Sequence, residues 1–506
     1  MRMLVARRKI LTALAIAFFL LNICYFWSRR PAKPTALPLN RLSRLWRDLH
    51  PLLEEHAPQC PPPVLNGGPG VKRFDAVKET PRRNYITNVD EIQQPMREMH
   101  DGVVRAIHNS HLDPPYIPGT TGIVSSAGGT YLPTFLVTVL LLRRTGSTLP
   151  VELFMRDRNE YEPSICQDIL PPLGVRCIIL SDIFTNPENN DNPESTLPPI
   201  EGFQLKAFAI LFSSFENLLW LDADCIPLHD PATILTSAPF TTTGMLTWPD
   251  FWANTAAPAY FHISNQPAPP LTTRQATEAG ILAISKPSHA LTLLLAAYYN
   301  YYGPDYYYPL LDQGAPGAGD KDTFLHAATA LNQTFYAVSE PVVDLGNLTP
   351  NPDVAINAGY IQADPVEDFA LTSRGIWRVK GSSSSSSSSR AEGSSDPDPP
   401  APRAFFIHAG DPEFNPGNKL LGSKLQGSDG RPTRLWTYPP EALSRVGYDA
   451  EKAIWEEIAY IVCDLQPAFK TWEGKVDLCG AVRKHWSAVF ADPKGIIEAL
   501  GEVAGS

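Results

Sequence analysis

From about residue 120 onward, short apolar runs bounded by glycine and proline alternate with longer apolar stretches at helical spacing. "GIVSSAGG" predicts a strand and a glycine turn, "YLPTFLVTVLLLRRTGS" a helix, and "VELFMR" and "VRCIIL" two further strands. Residues 201–217, "EGFQLKAFAILFSSFEN", predict a helix feeding the strand "LLWLDAD". This alternation is what a parallel, helix-covered sheet needs, so the fold class is α/β with a Rossmann-like front half. Further on, "HALTLLLAAYYNYYG" and "KAIWEEIAYIVCDL" predict helices and "RAFFIH" an apolar segment that packs back onto the domain.

The N-terminus follows another pattern. "RRKILTALAIAFFLLNICYFWSRR" holds an uncharged 18-residue run, residues 10–27, between basic flanks. At ~1.5 Å per residue it nearly spans a bilayer core. A small-x-small cleavage site, Ala15-Ile16-Ala17, falls inside the run, so an uncleaved signal anchor is expected, with residues 1–9 cytoplasmic and the long C-terminal part across the membrane. Residues 28–115 are expected to form a stem; within it "RLSRLWRDLHPLLEEH" sets Leu42, Leu45 and Leu49 on one helical face, which suits a stem helix and a helix packed on the domain equally. A catalytic domain over 116–380 resumes over 403–506 after a Ser/Pro-rich insertion, 381–402, whose eight consecutive serines at 382–389 bury too little to order themselves.

Composition narrows the function. The chain has 506 residues, enough for one large domain with attachments, and its 50 prolines imply many ordered turns. A net charge of −11 excludes broad attraction to nucleic acid. Six cysteines beyond the anchor, Cys60, Cys166, Cys177, Cys225, Cys463 and Cys479, suit an oxidising lumen; Cys166 with Cys177 and Cys463 with Cys479 are the pairs favoured by proximity. The sequons at Asn332 and Asn347 agree with a secretory route.

The chemistry is concentrated in "LLWLDADCIPLHDP". With a strand period of two, Asp222 and Asp224 project to the same face at the strand's C-terminal end, where open α/β sheets bind ligands. Two hard oxygen ligands there suit Mn²⁺ or Mg²⁺ shared with the phosphates of a nucleotide diphosphate compound. Other D-x-D pairs, Asp320-Lys321-Asp322 and Asp396-Pro397-Asp398, lack the preceding apolar strand.

Six ordered stretches, among them "YLPTFLVTVLLLRRTGSTLPVELF", "QLKAFAILFSSFENLLWLDADCIPLHDP", "GMLTWPDFW", "EAGILAISK" and "YYNYYGPDYYYPLLDQGAPGAGDKDTF", span roughly residues 120–330. In them the chain resembles the fungal Golgi α-mannosyltransferases of glycosyltransferase family 71, nearest the α-1,2 branch of mannan synthesis. The resemblance implies a GT-A fold, a GDP-mannose donor, Mn²⁺, retention at the anomeric carbon, a mannosylated glycan or glycoprotein acceptor, and a single-pass type II position in the Golgi membrane. That branch often shows "ESGQ" where this chain has Glu278-Ala279-Gly280-Ile281, which leaves α-1,2 and α-1,3 linkage both open.

Candidate roles follow, each beside an ordinary structural alternative. Asp222, Asp224 and His408 are candidate metal ligands. Lys206, Ser125, Gly128 and Gly129 are candidates for the donor diphosphate, or a solvated lysine and a tight turn. Trp248, Asp250 and Trp252 combine aromatic faces with a carboxylate for an acceptor sugar, or form a packed corner. Glu278, Asp320 and Asp322 are candidate catalytic carboxylates, one of the last two being equally at home as a helix cap. Two other classes remain: a glycoside hydrolase, whose acids would flank the sugar about 5–10 Å apart rather than share a face, and a membrane-anchored, Ca²⁺-dependent lectin.

Overall fold

A computed structural model describes residues 36–491, apart from 69–70, 186–199, 318, 349–354, 379–398, 419 and 428–429. The expected anchor at 10–27 and nearly all of the expected insertion at 381–402 lie outside the described residues. Among the described residues no helix is long and apolar enough to cross a membrane.

The strands are β1 (Ile117–Ser126), β2 (Val151–Met155), β3 (Val175–Ile179), β4 (Phe215–Leu221), β5 (Cys225–Pro227), β6 (Met245–Ala253), β7 (Gln275–Ser285), β8 (Tyr336–Ala337), β9 (Val343–Leu348), β10 (Ala355–Ala363) and β11 (Ala404–His408). The helices that shape the site and its support are α1 (Leu39–Glu55), α2 (Val89–Asn109), α3 (Tyr131–Arg144), α4 (Gln204–Phe212), α5 (Lys286–Tyr301), α6 (Thr323–Ala330), α7 (Ala450–Asp464) and α8 (Leu478–Phe490).

Seven strands form the main sheet in the order β3-β2-β1-β4-β7-β6-β8. The first four run parallel, and β7 runs antiparallel to both β4 and β6. From β1 the chain moves outward through α3 to β2 and β3, then returns through α4 to β4 on the other side of β1. Strand order therefore reverses between β1 and β4, which opens a crevice at their C-terminal ends. The mixed α/β class expected from the sequence is the one observed.

Alternation along the two central strands divides the core. Ile123, Leu219 and Leu221 face α3 and α7, whereas Val124, Leu218 and Trp220 face α4, α5 and the N-terminal helices. Both faces are covered, so these strands read as continuous apolar runs rather than alternating ones. A second sheet, β5-β11-β10-β9, is antiparallel throughout and begins one turn after β4.

Three expectations need correction. The segment expected as a stem is part of the domain from Pro38 onward: α1 buries Leu42, Leu45, Trp46, Leu49 and Leu53 in the same core as Trp220. Helix α2 was not anticipated, although Ile92, Met96, His100, Val103 and Ile107 give it a regular apolar stripe. The helix expected over 201–217 stops at Phe212. There the buried Lys286 ammonium donates to the carbonyls of Leu211 and Ser213 at 2.9 and 2.5 Å, and the Ser214 N–H turns away to Glu152 at 2.9 Å. Residues 215–217 consequently begin β4.

Both favoured disulfides form, Cys166–Cys177 and Cys463–Cys479, the latter joining α7 to α8. Cys60 and Cys225 are free thiols.

Candidate active site

The aspartates expected at the end of β4 sit in the crevice between β1 and β4. A turn closed by the Cys225 N–H donating to the Asp222 carbonyl at 3.0 Å carries the chain from β4 into β5. From α3, the Thr138 hydroxyl donates to the Ala223 carbonyl at 2.6 Å and holds that turn in place. From the second sheet, the Ala409 N–H donates to the Asp224 carbonyl at 3.1 Å.

Asp224 faces His408, whose Nε2 is 3.2 Å from its carboxylate. The other ring nitrogen, Nδ1, lies 2.9 Å from Glu278 Oε1 and 2.7 Å from the Tyr360 hydroxyl. Burial alone would disfavour a charged imidazole, but Cys225, Asp224 and Glu278 hold the His408 pKa well above its usual value. Burial likewise opposes ionisation of Asp224 and Glu278, and the His408 ring outweighs it, leaving both below the ordinary carboxylate range.

Asp222 belongs to a second, adjoining group. Its Oδ1 accepts from the Trp220 indole at 2.7 Å and lies 3.4 Å from the Lys206 ammonium. Lys206 also pairs with Asp320 at 2.8 Å and donates to the Ala279 carbonyl at 2.5 Å. Burial lowers the lysine's affinity for its proton, yet Asp222 and Asp320 together raise it, so this ammonium stays charged in the interior. Asp320 is pushed up to about 6 by burial, with Lys206 opposing. Asp222 is raised by burial too, Asp224 adding repulsion.

Around the crevice, four buried or half-buried carboxylates, Asp222, Asp224, Glu278 and Asp320, therefore meet only Lys206 and His408 as compensating cations among the described residues. The excess negative charge suits a divalent cation, and Asp224, Cys225 and His408 already bring ligand atoms within 4.8 Å of one another. A further sign of fit is the Glu278 Oε2, which is buried without a hydrogen-bond partner.

Glu278 owes its position to a bulge. Opposite β6, the pairing jumps from Thr247–Leu282 to Trp248–Glu278, so residues 279–281 bow out and re-aim the carboxylate toward His408. Gly280, at the apex, packs where no side chain fits: a Cβ there would lie 2.7 Å from both Cys225 Sγ and His408 Cε1 and 2.9 Å from Glu278 Oε1. Gly280→Ala is expected to displace the His408 ring and lower activity about 100-fold while the far-ultraviolet spectrum stays unchanged; activity within twofold of the parent would contradict this packing.

The remaining candidates divide. Gly129 has φ +53° with open space around its missing side chain, directly before α3. Tyr131, the first residue of α3, has its hydroxyl pKa pushed up to about 12 by burial and by Glu413, Asp224 and Asp222. By contrast, Gly128 is glycine because a Cβ would collide with the Glu160 carboxyl at 2.5 Å, and Ser125 is buried in β1. The Ser125 hydroxyl is buried without a hydrogen-bond partner.

Trp248 is 1 % exposed, with its indole donating to the Ala363 carbonyl at 3.0 Å; it is a core residue, not a sugar platform. Asp250 is paired with the Lys321 ammonium. Trp252 is half-buried beside Phe251. Asp322 adopts φ +67° at the start of α6, but its carboxylate does not cap the helix. Its Oδ1 accepts from the Thr277 N–H and hydroxyl, both at 2.7 Å, and Oδ2 from Asn254 at 3.2 Å. Asp322 thus ties the glycine loop to β7 and is not available for catalysis.

The sequence reading missed Trp220, Cys225, Tyr131 and Tyr360. Cys225 directly follows the aspartate pair, a signal that was present; nothing local marks Tyr360, which β10 delivers from the second sheet.

Carboxylates gathered at the switch point of a Rossmann-like sheet define an α/β domain of the kind that binds ligands at the C-terminal ends of its strands. The family model "Mannosyltransferase putative" matches residues 120–275 and 270–365. Alpha-1,2-mannosyltransferase MNN21 of Candida albicans is 33% identical over 432 residues, covering 77% of this chain and 64% of that protein. MNN24 of the same organism, also named an alpha-1,2-mannosyltransferase, is 36% identical over 282 residues, 50% of this chain and 39% of its own. Alpha-1,2-mannosyltransferase MNN2 of Saccharomyces cerevisiae is 30% identical over 424 residues, 73% and 68% of the two chains. The chain thus spans less than two thirds of the first two relatives. It belongs to this family of fungal mannosyltransferases. Among solved structures, likeness is low: the glycosyltransferase GlyE of Streptococcus pneumoniae TIGR4 has a TM-score of 0.28 at 12% identity over 44% of this chain and 45% of its own.

Proposed function

We propose that this chain is a metal-dependent, retaining α-mannosyltransferase that moves mannose from GDP-mannose to a mannose-terminated glycan or glycoprotein, with α-1,2 linkage favoured. The observation that carries the reading is the meeting of Asp224 with His408, beside the adjoining Asp222–Lys206 group, at the switch point of a Rossmann-like sheet in a chain of a mannosyltransferase family.

Asp222, Asp224 and His408 would hold Mn²⁺ or Mg²⁺, which when bound supplies a Lewis acid for the departing diphosphate. The diphosphate would lie toward the N-terminus of α3 by Gly129, where the helix dipole favours an anion. Lys206 opposes the burial that raises the Asp222 and Asp320 pKa values and contributes fixed positive charge beside the leaving group. Glu278 orients His408, Asp322 is bound to Thr277 and Asp320 is paired with Lys206. Retention could proceed by attack on the face from which the diphosphate leaves or through a covalent glycosyl-enzyme, for which Glu278, with its unpartnered Oε2, is the least engaged of the three carboxylates. A Golgi position as a type II membrane protein, serving glycoprotein or cell-wall mannan, completes the proposal, supported by the apolar run at 10–27 and the two disulfides.

The test uses the full-length protein in detergent with GDP-mannose or UDP-sugars, a short α-mannoside, and Mn²⁺ or EDTA. Acceptor-dependent GDP release, a product one mannose longer, and loss of both in EDTA are expected. Nucleotide release from no donor, or transfer undiminished in EDTA, would sink the reading, and the product's linkage decides between α-1,2 and α-1,3.

A further inference from the structure

The candidate cation site departs from an all-oxygen cage at one residue. Cys225 is fully buried, lies outside both disulfides, and opens β5 directly after Asp224. In the second sheet it is the register partner of His408. Neighbouring residues on paired strands project to the same face, which brings the sulfur beside the imidazole. The Asp224, Cys225 and His408 ligand atoms accordingly fall within 4.8 Å of one another. The space is kept free by Gly280, whose missing Cβ would stand 2.7 Å from the sulfur. Behind the ring, Glu278 Oε1 accepts from His408 Nδ1 at 2.9 Å, the carboxylate–histidine pairing that fixes the orientation of a metal-bound imidazole. Glu278 Oε2 remains buried and unpartnered.

We propose that Cys225 is a metal ligand, bound as the thiolate beside Asp224 and His408, and that the site therefore takes borderline divalent cations of the Zn²⁺ and Co²⁺ type more tightly than Mn²⁺. The inference rests on the metal site assigned above. One sulfur, one imidazole and one carboxylate are the donor types such cations select, whereas Mn²⁺ and Mg²⁺ favour oxygen. On binding, the S–H bond releases its proton to water and the sulfur lone pair forms the bond to the cation, with no change in oxidation state. Together with Asp222 these ligands still leave a position for a phosphate oxygen on a five- or six-coordinate cation, so borderline-metal binding and donor binding are compatible.

The experiment is a Co²⁺ titration of the full-length protein in a Cys24→Ser/Cys60→Ser background, followed by absorption and by proton release, with Zn²⁺ and Mn²⁺ as competitors. A sulfur-to-cobalt charge-transfer band, displaced by Zn²⁺ at lower concentration than by Mn²⁺, is expected. Cys225→Ser should lose the band and weaken Co²⁺ binding by about tenfold or more. Co²⁺ binding without a sulfur band, in a protein that still transfers mannose with Mn²⁺, would overturn the thiolate and leave the transferase reading intact. Failure of all three cations to bind would overturn both. The parent spectrum decides the matter even where Cys225→Ser folds poorly.

Discussion

Asp224→Ala is expected to lower metal-supported mannose transfer about 1000-fold, with folding unaffected. The carboxylate has two partners to lose, His408 at 3.2 Å and the cation itself. A positioned charge acting on a developing anion in a water-poor site contributes about 10²–10³ in rate, and the cation that depends on it contributes several kcal/mol more. Folding should survive because the turn is held by main-chain atoms, through the Ala409 N–H to the Asp224 carbonyl and Thr138 to the Ala223 carbonyl, none of which the substitution removes. Acceptor-dependent GDP release, read alongside circular dichroism, checks both halves. Asp222→Ala should show a comparable loss of transfer, since Asp222 joins the Lys206 group to the same cation. Near-normal transfer by either variant would remove the metal role.

Lys206→Met is the second large effect, and it falls on stability as well as on chemistry. The ammonium is 6 % exposed and joins Asp320, Asp222 and the Ala279 carbonyl at the base of the site. Methionine fills much the same volume but leaves the buried Asp320 and the half-buried Asp222 without their counter-charge. Removing one partner of a buried pair costs about 3–5 kcal/mol, far more than the pair contributes relative to an apolar replacement. The urea midpoint should fall accordingly, and transfer should be lost. Lys206→Met/Asp320→Asn should recover part of the stability without recovering transfer, because the orphaned charge is neutralised while the cation beside the leaving group is still missing. A single variant as stable as the parent would show that water reaches these carboxylates.

Much of this site could be read before the fold was known. The run of residues 218–221 into Asp222 and Asp224 announced a buried strand ending in ligands, and the strand and the pair are where the pattern put them. The α3 and α5 helices, β2, β3 and both disulfides were legible for the same reason: each depends on periodicity or spacing within about twenty residues. Legibility failed where a residue's partner lay far along the chain. Trp248 suited a sugar platform and a packed corner equally in the sequence, and β6 decides for the corner by turning its indole inward to Ala363. Asp322 and Asp320 sit two residues apart in one loop, yet one anchors β7 through Thr277 and the other faces Lys206, a split created by the left-handed conformation at Asp322.

By itself, then, the sequence determined the α/β class and the strand that presents the aspartates, because hydrophobic period and local charge act over a few residues. Only the tertiary structure decided which groups surround them. His408 and Glu278 are 130 residues apart and meet because β11 pairs with β5 while a bulge in β7 turns Glu278 toward the same point. Cys225 and Tyr360 join them through sheet register, a relation between distant strands that no local pattern encodes.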